Sequence, residues 1–312
     1  VFVPEELSQN KEKVIPEQTV SFRIWTTSLA TASDITEMLD QIEGKNYQSI
    51  SLYLLWSDFE YEQGKYSFSF IDELIPLIIG RGYKIDLTLV LWTYNLSWKD
   101  ALDFQQTRTG EIFSYDEIRN ETLSIFSEKN KTCIKNSIFA LADHCNKTFG
   151  ENISQWSVVL SPSGKMELSS FAGADCSEPA KTAFYAYLQD KYSEISALNS
   201  HVSRQYESWD ALKQTEFSTL TDLAAFDYEI FTKEALSSLI KETATAFQSV
   251  SQTIPVVLKI TDPTSVFAAK TMGLSEIYSL TQNTGVDILS FVAAENPIET
   301  AFICDMIGSV TG

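Results

Sequence analysis

The chain has 312 residues, an apolar fraction of 44% and a formal net charge of -19. That length suits one large barrel or two modest domains, and the apolar share is enough for a full globular core. Nucleic acid and anionic membrane surfaces both call for clustered Lys and Arg, so the acidic balance argues against either as a partner.

In chain order, residues 1–19 carry several charges and two prolines, and read as an N-terminal arm ahead of a single domain over 20–312. Val20 to Trp25 reads as a first strand, and Ser33-Asp-Ile-Thr opens a helix whose Ile35, Met38, Leu39 and Ile42 recur at helical spacing. Ser49 to Trp56 is a second strand, mostly apolar, as expected where both faces of a sheet are covered. Trp56 to Ile79 is a loop closed by Gly64 and followed by a second helix, and Gly82 to Trp92 is a third strand. A long excursion, Thr93 to Thr132, leaves the carboxyl end of that strand, which in a barrel is the functional side. Val158, Val159 and Leu160 form the apolar core of a fourth strand, broken by Ser161-Pro-Ser-Gly164.

Ser177-Glu-Pro has the cap and early proline of a helix start, with Ala180, Phe184, Tyr187 and Leu188 on its inner face. A connector, Lys191 to Leu212, leads to a long helix with Tyr228, Phe231, Ala235, Leu239 and Ala246 on one face. Ile254 to Ile260 is a fifth strand; a helix through Phe267, Leu274 and Ile277 leads to a sixth, Val286 to Ala293, and a short helix, Glu299 to Ile307, ends the chain. Strands alternating with helices predict an α/β protein with a parallel sheet.

No zinc site or Ser-His-Asp triad is expected, because the only histidines are His144 and His201 and no Cys-x-x-Cys occurs. No glycine-rich phosphate loop is present, so neither a metal nor a nucleotide cofactor is expected. Asn95, Asn120, Asn130, Asn146 and Asn152 each begin an Asn-x-Ser/Thr triplet, against roughly two expected by chance. They are expected to be glycosylation sites, which places the chain outside the cell, secreted or at the surface. The cysteines Cys133, Cys145, Cys176 and Cys304 suit a disulfide-forming compartment. Cys133 and Cys145 bound one helix, with Ile134, Ile138 and Leu141 on a face. A continuous helix of that length holds their Cα atoms about 18 Å apart, beyond disulfide reach. Each is therefore expected to pair with Cys176, with Cys304 or with another chain.

Three segments carry a family resemblance. Trp56, Glu60, Gly64, Tyr66, Phe68 and Asp72 occupy the positions of a Trp-x-x-x-Glu…Gly-x-Tyr-x-Phe-x-x-Ile/Leu-Asp pattern that resembles β-galactosidase-type barrels, with Tyr61 where proline is usual. Tyr192, Ile195, Leu198, Asn199 and Trp209 are similar to a connector of the same barrels. The stretch Gln155 to Phe171 resembles the fourth strand of β-amylases and of β-galactosidase-like glycosidases. The resemblance implies a (β/α) TIM-type barrel, incomplete at six recognisable strands, with its chemistry at the carboxyl ends of the strands.

It also implies where a proton-donating glutamate should stand. In the β-amylase alignment that position is Lys165; in the galactosidase alignment the Asn-Glu pair is replaced by Leu160 and Ser161. Glycoside hydrolysis needs two carboxyls flanking the bond. The second is left to Glu295, which sits in a Val-Ala-Ala-Glu-Asn run resembling the base of β-amylases, while Glu167 is a displaced candidate for the first. The expectation is a catalytically silent barrel whose strand-end residues Trp92, Lys165, Glu167, Lys259 and Glu295 are the candidates for touching sugar. An acidic, glycosylated, glycosidase-like chain of this size resembles the light-subunit family of the amoebic galactose/N-acetylgalactosamine lectins. That resemblance implies an adhesin subunit joined to a larger protein by disulfide, held at a membrane through the partner or through a lipid anchor at the small residues Gly308 to Gly312. The competing expectations are an active secreted hydrolase using Glu167 and Glu295, and a purely structural subunit.

Overall fold

The computed structural model describes residues 21–29, 31–114, 121–160, 166, 168, 173–260 and 286–291. Its centre is a sheet of six parallel strands: β1 (Ser21–Trp25), β2 (Ser49–Leu55), β5 (Lys84–Val90), β6 (Ile153–Val159), β7 (Val256–Ile260) and β8 (Val286–Phe291). They lie side by side in chain order, each paired in parallel with the next. A small hairpin, β3 (Glu60–Glu62) and β4 (Lys65–Tyr66), follows β2. The helices are α1 (Asp34–Ile42), α2 (Ser69–Ile79), α3 (Glu128–Phe149), α4 (Glu178–Tyr192), α5 (Ile195–Val202), α6 (Trp209–Lys213), α7 (Phe217–Leu223) and α8 (Ala225–Gln248). This is the strand order and connectivity of a (β/α) barrel. The six strands expected from the sequence are present, with ends shifted by one or two residues. The N-terminal arm, the helix through Phe267 and the helix at Glu299 lie outside the described residues.

One face of the sheet is apolar without interruption. Ile50, Leu52 and Leu54 of β2, Ile85, Leu87 and Leu89 of β5, Trp156 and Val158 of β6, and Val256 and Leu258 of β7 all lie in the main hydrophobic cluster beneath the helices. The helices meet it with Ile35, Leu39 and Ile42 of α1, with Ile71, Leu74, Ile75 and Ile78 of α2, and with Leu236, Leu239, Ile240 and Phe247 of α8. Each fully buried aliphatic side chain of this kind contributes about 1.5–3 kcal/mol. The α8 stripe is shifted from the one read in the sequence, because Leu236 and Ile240 face the sheet while Ala235 and Ala246 sit at its margin.

α3 runs unbroken through 22 residues and starts where Ser127 Oγ accepts a hydrogen bond from Asn130 N. It begins inside the stretch read as an excursion, since Glu128 to Thr132 form its first turn rather than loop. Two of the segments that carry the family resemblance, the one after β2 and the connector after α4, are structural. Glu60 Oε2 accepts from Trp56 Nε1 at 2.6 Å and from Ser137 Oγ, and Glu60 Oε1 accepts from Gly64 N at 2.8 Å. Gly64 has φ +73°, a backbone shape that favours glycine, so the hairpin turn and its pinning carboxylate form one unit. In the connector, the Asn199 side chain bonds the Tyr206 backbone in both directions, Nδ2 to O at 2.9 Å and N to Oδ1 at 2.9 Å.

Candidate functional site

The other face of the sheet, turned to the barrel interior, is layered. At the amino ends of the strands lies a polar floor. Asp86 of β5 accepts hydroxyl hydrogen bonds from Ser21 at 2.5 Å and Ser49 at 2.8 Å on Oδ2, and from Ser154 at 2.5 Å on Oδ1. Above it Lys259 of β7, only 6% exposed, donates to Thr88 Oγ1 at 2.7 Å, Ser51 Oγ at 3.0 Å and the Tyr53 hydroxyl at 3.2 Å. Burial pulls the Lys259 ammonium down to about 7; Asp86 opposes that pull and Arg23 adds to it. Tyr53 is itself shifted upward, first by burial.

At the carboxyl ends sits an aromatic collar. Trp25 stacks on Tyr53 at 4.4 Å between ring centroids and lies 5.5 Å from Trp92. Leu55, Val90 and Val159 pack among these rings in a cluster of their own, separate from the core under the helices. The Trp92 Nε1 is buried and has no hydrogen-bond partner among the described residues. An unpaired buried donor costs roughly 1–3 kcal/mol, so an acceptor supplied by a ligand would relieve a standing penalty.

Of the residues singled out from sequence, Trp92 and Lys259 therefore share one interior, Trp92 in the collar and Lys259 a layer below. Lys165, Glu167 and Glu295 lie outside the described residues, as do Ser161 and the short stretch after it. The backbone between Lys165 and Glu167 is fixed at one point, where Met166 N donates to Lys259 O at 2.7 Å. Sequence reading missed Arg23, Trp25, Ser51, Tyr53, Asp86 and Thr88. A signal was there, since Ser49-x-Ser51-x-Tyr53 and Asp86-x-Thr88 alternate with aliphatics and give each strand a polar inner face.

Two carboxylates near the carboxyl ends among the described residues, Asp58 and Glu121, are engaged elsewhere. Asp58 accepts from Thr26 Oγ1 at 2.5 Å and Leu55 N at 2.9 Å, and burial raises its pKa. Glu121 pairs with Lys99 at 2.6 Å. No group of His, Cys, Asp or Glu suited to a metal ion occurs among the described residues.

Among the expected modifications, burial contradicts one sequon, and no disulfide forms among the described cysteines. Asn130 is 1% exposed, and its amide donates to Asp103 O at 2.6 Å and Ser124 O at 3.0 Å while accepting from Asp103 N at 2.9 Å. The folded chain has no room for a glycan there. Asn95 is exposed, Asn146 and Asn152 are half-buried, and Asn120 lies outside the described residues. Cys133, Cys145 and Cys176 are all buried free thiols, so the pairing expected for them does not form among the described residues. Cys145 is 0% exposed and its thiol is pushed up by burial, which closes it to a partner chain. Cys304 lies outside the described residues.

Sheet order, outer helices and a carboxyl-end collar define a glycosidase-type (β/α) barrel. The chain belongs to the glycoside hydrolase 42 family, described as beta-galactosidase, which matches residues 25–312. Among solved structures it is similar to the catalytic domain of β-amylase from Paenibacillus polymyxa, with 13% identity and a TM-score of 0.69, covering 94% of this chain and 82% of that one. It is also similar to β-galactosidases from Bacillus circulans sp. alkalophilus (14% identity, TM-score 0.66) and Marinomonas ef1 (15% identity, TM-score 0.64). These cover 95% and 89% of this chain, which spans only 43% and 41% of their lengths. Identities this low establish the fold alone. A search of curated protein sequences gives no match.

Proposed function

We propose that this chain is a sugar-binding member of its family that does not hydrolyse glycosides, and that it serves as a subunit of a secreted or cell-surface adhesin. The observation that carries the reading is the collar. Trp25 and Trp92, both half-buried and backed by the buried Tyr53, offer aromatic surface at the end of the barrel where glycosidases hold sugar, and Trp92 adds a buried donor without a partner among the described residues. The inward strand-end residues that surround them, Leu55, Val90 and Val159, carry no carboxyl group. Beyond Leu160 the sequence runs Ser-Pro-Ser-Gly-Lys, with Ser161 or Lys165 at the position where the resemblance places an acid. Hydrolysis needs two carboxyls across the bond; the described part of the collar supplies neither, and such a collar binds and releases.

In this reading a larger protein completes the complex, and burial of Cys133, Cys145 and Cys176 leaves Cys304 as the cysteine for any disulfide to it. The exposed Asn95 and the half-buried Asn146 and Asn152 favour an extracellular setting.

Membership of a hydrolase family supports the second reading, an active glycosidase using Glu167 and Glu295. Incubation of the pure full chain with aryl galactosides, aryl glucosides and starch separates the two. The expected result is no turnover above buffer, together with sugar binding that Trp92→Ala weakens at least fivefold. Turnover that Glu295→Gln abolishes would establish the hydrolase and end the binding-only reading.

A further inference from the structure

Arg23 and Lys259 come from opposite ends of the sequence, on β1 and β7, yet lie against the same ring. Arg23 Cζ is 5.2 Å and Lys259 Nζ 4.3 Å from the centroid of Tyr53. Neither forms an ion pair with any described residue. The acid that acts on Lys259 is Asp86, whose two oxygens are already taken by the hydroxyls of Ser21, Ser49 and Ser154. Two cations thus share one region without a counter-charge of their own among the described residues, in a protein whose net charge is -19.

Buried cations are normally paired, because an isolated one is costly to hold out of water. Here burial and the Arg23 charge both work against the Lys259 ammonium. The arrangement is also reachable. Arg23 is exposed and Trp25 half-buried, so the β1 side of the interior opens to solvent next to the aromatic rings. Lys259 is the buried member, oriented by three hydroxyls that carry no charge.

The geometry points to an anion subsite at the exposed Arg23 that takes the carboxylate of an acidic sugar, a uronic acid, whose ring lies against Trp25 and Trp92 of the collar. The Lys259 charge beneath it acts through space, because its three N–H groups are held by hydroxyls. This rests on the sugar-binding reading of the collar and names the class of sugar. A guanidinium matches a carboxylate with two parallel N–H donors, and charge-assisted bonds of that kind are roughly twice as strong as neutral ones. A neutral sugar would gain the stacking surface and leave both cations uncompensated.

Charge on Lys259 makes the affinity depend on pH. Among the described residues, the charged and titratable groups facing it are Arg23 on β1, Tyr53 on β2 and Asp86 on β5; β6 presents Ser157 and Val159 and β8 sets Ser290 beside it in register, and none of these three titrates. Carboxylate binding is therefore strongest below about 7, where Lys259 is protonated. It falls by up to about tenfold per pH unit above that.

The test is titration calorimetry on the full chain with glucuronate and galacturonate, with glucose and galactose, and with acetate, at pH 6 and pH 8.5. At pH 6 the uronates are expected to bind at least tenfold more tightly than the neutral sugars, with the advantage shrinking at pH 8.5. Arg23→Gln, at an exposed position that folding tolerates, should cut uronate affinity about tenfold and leave neutral-sugar affinity as it was. Lys259→Arg should keep uronate binding and flatten its pH dependence. Equal affinity for uronates and neutral sugars would overturn the anion subsite and leave the collar reading standing. Acetate binding as tightly as the uronates, with no affinity for neutral sugars, would overturn the acidic-sugar subsite and the collar reading together, as would no binding by any of these probes.

Discussion

Two buried charges in this protein are held in opposite ways. Asp227 of α8, 1% exposed, accepts from Lys191 Nζ at 2.7 Å and the Tyr192 hydroxyl at 2.8 Å, with His201 Nε2 at 3.2 Å. Three groups converge on one carboxylate and lock α4, α5 and α8 together, while the Tyr192 phenol is pushed up to about 12 by burial and by that bond. Lys259 has three partners too, but all are neutral hydroxyls. A charge compensated by opposite charge is a fastening. One bonded only to neutral hydroxyls, with its nearest acid, Asp86, already holding three serines, is a cost the fold carries for another purpose.

The sharpest way to break this comparison is to remove the Lys259 charge. The folded-state value is lowered from 10.5 to about 7, so between those limits the unfolded chain binds a proton that the folded chain does not. Stability of the wild-type chain should therefore rise with pH across that window, and below about pH 7 the full penalty applies. Lys259→Met should be more stable than wild type at pH 6 by about 3 kcal/mol, once the orphaned hydroxyls are counted against the relieved desolvation. The gap should close toward pH 10. Urea unfolding at pH 6, 8 and 10 measures it, and a variant less stable than wild type at pH 6 would place Lys259 with Asp227 as a fastening.

Removing the compensated charge should act in the other direction. Asp227→Asn leaves Lys191 and His201 free to turn to solvent but deletes the charged acceptor that both share. The expected loss is about 2 kcal/mol at neutral pH, read from the same urea transitions, with no change in any sugar affinity. A change in sugar affinity would mean that α8 communicates with the barrel interior.

The sequence made the outer half of this architecture legible and hid much of the inner half, for a physical reason. Aliphatic positions such as Ile50, Leu52 and Leu54, or Ile35, Leu39 and Ile42, repeat with the period of their element, so strands and helices announce themselves. The inner face is assembled from single residues contributed by strands far apart in sequence. Ser51, Thr88 and Lys259 meet only after β2, β5 and β7 have aligned, and no spacing along the chain encodes that. Trp92 and Lys259 were found because each lies at or near a strand end; Tyr53 was passed over because aromatic residues inside apolar runs usually belong to the core, and Trp25, although it ends β1, was passed over because the resemblance drew no attention to that strand. Sequons misled at Asn130 because the triplet records what a glycosylating enzyme accepts, and says nothing of a side chain recruited to hold the start of α3.

A smaller effect separates the two faces of the sheet most cleanly. Trp92 and Trp156 both carry a buried Nε1 without a partner among the described residues, Trp92 inside the barrel and Trp156 outside, stacked on Phe247 at 5.5 Å. Replacing either by Phe keeps an aromatic ring and deletes the unpaired donor. The relieved desolvation, up to about 1 kcal/mol, offsets the lost ring area, so neither Trp92→Phe nor Trp156→Phe should move stability by more than about 1 kcal/mol. Their effects on ligand should diverge. Trp92→Phe removes a donor that a sugar hydroxyl would accept from and should weaken binding about fivefold, while Trp156→Phe, on the far side of the strand, should leave it unchanged. Calorimetric titration of both variants with the same sugar decides the matter: equal affinities would mean that the unpaired indole in the collar is an accident of packing, as the one under α8 is.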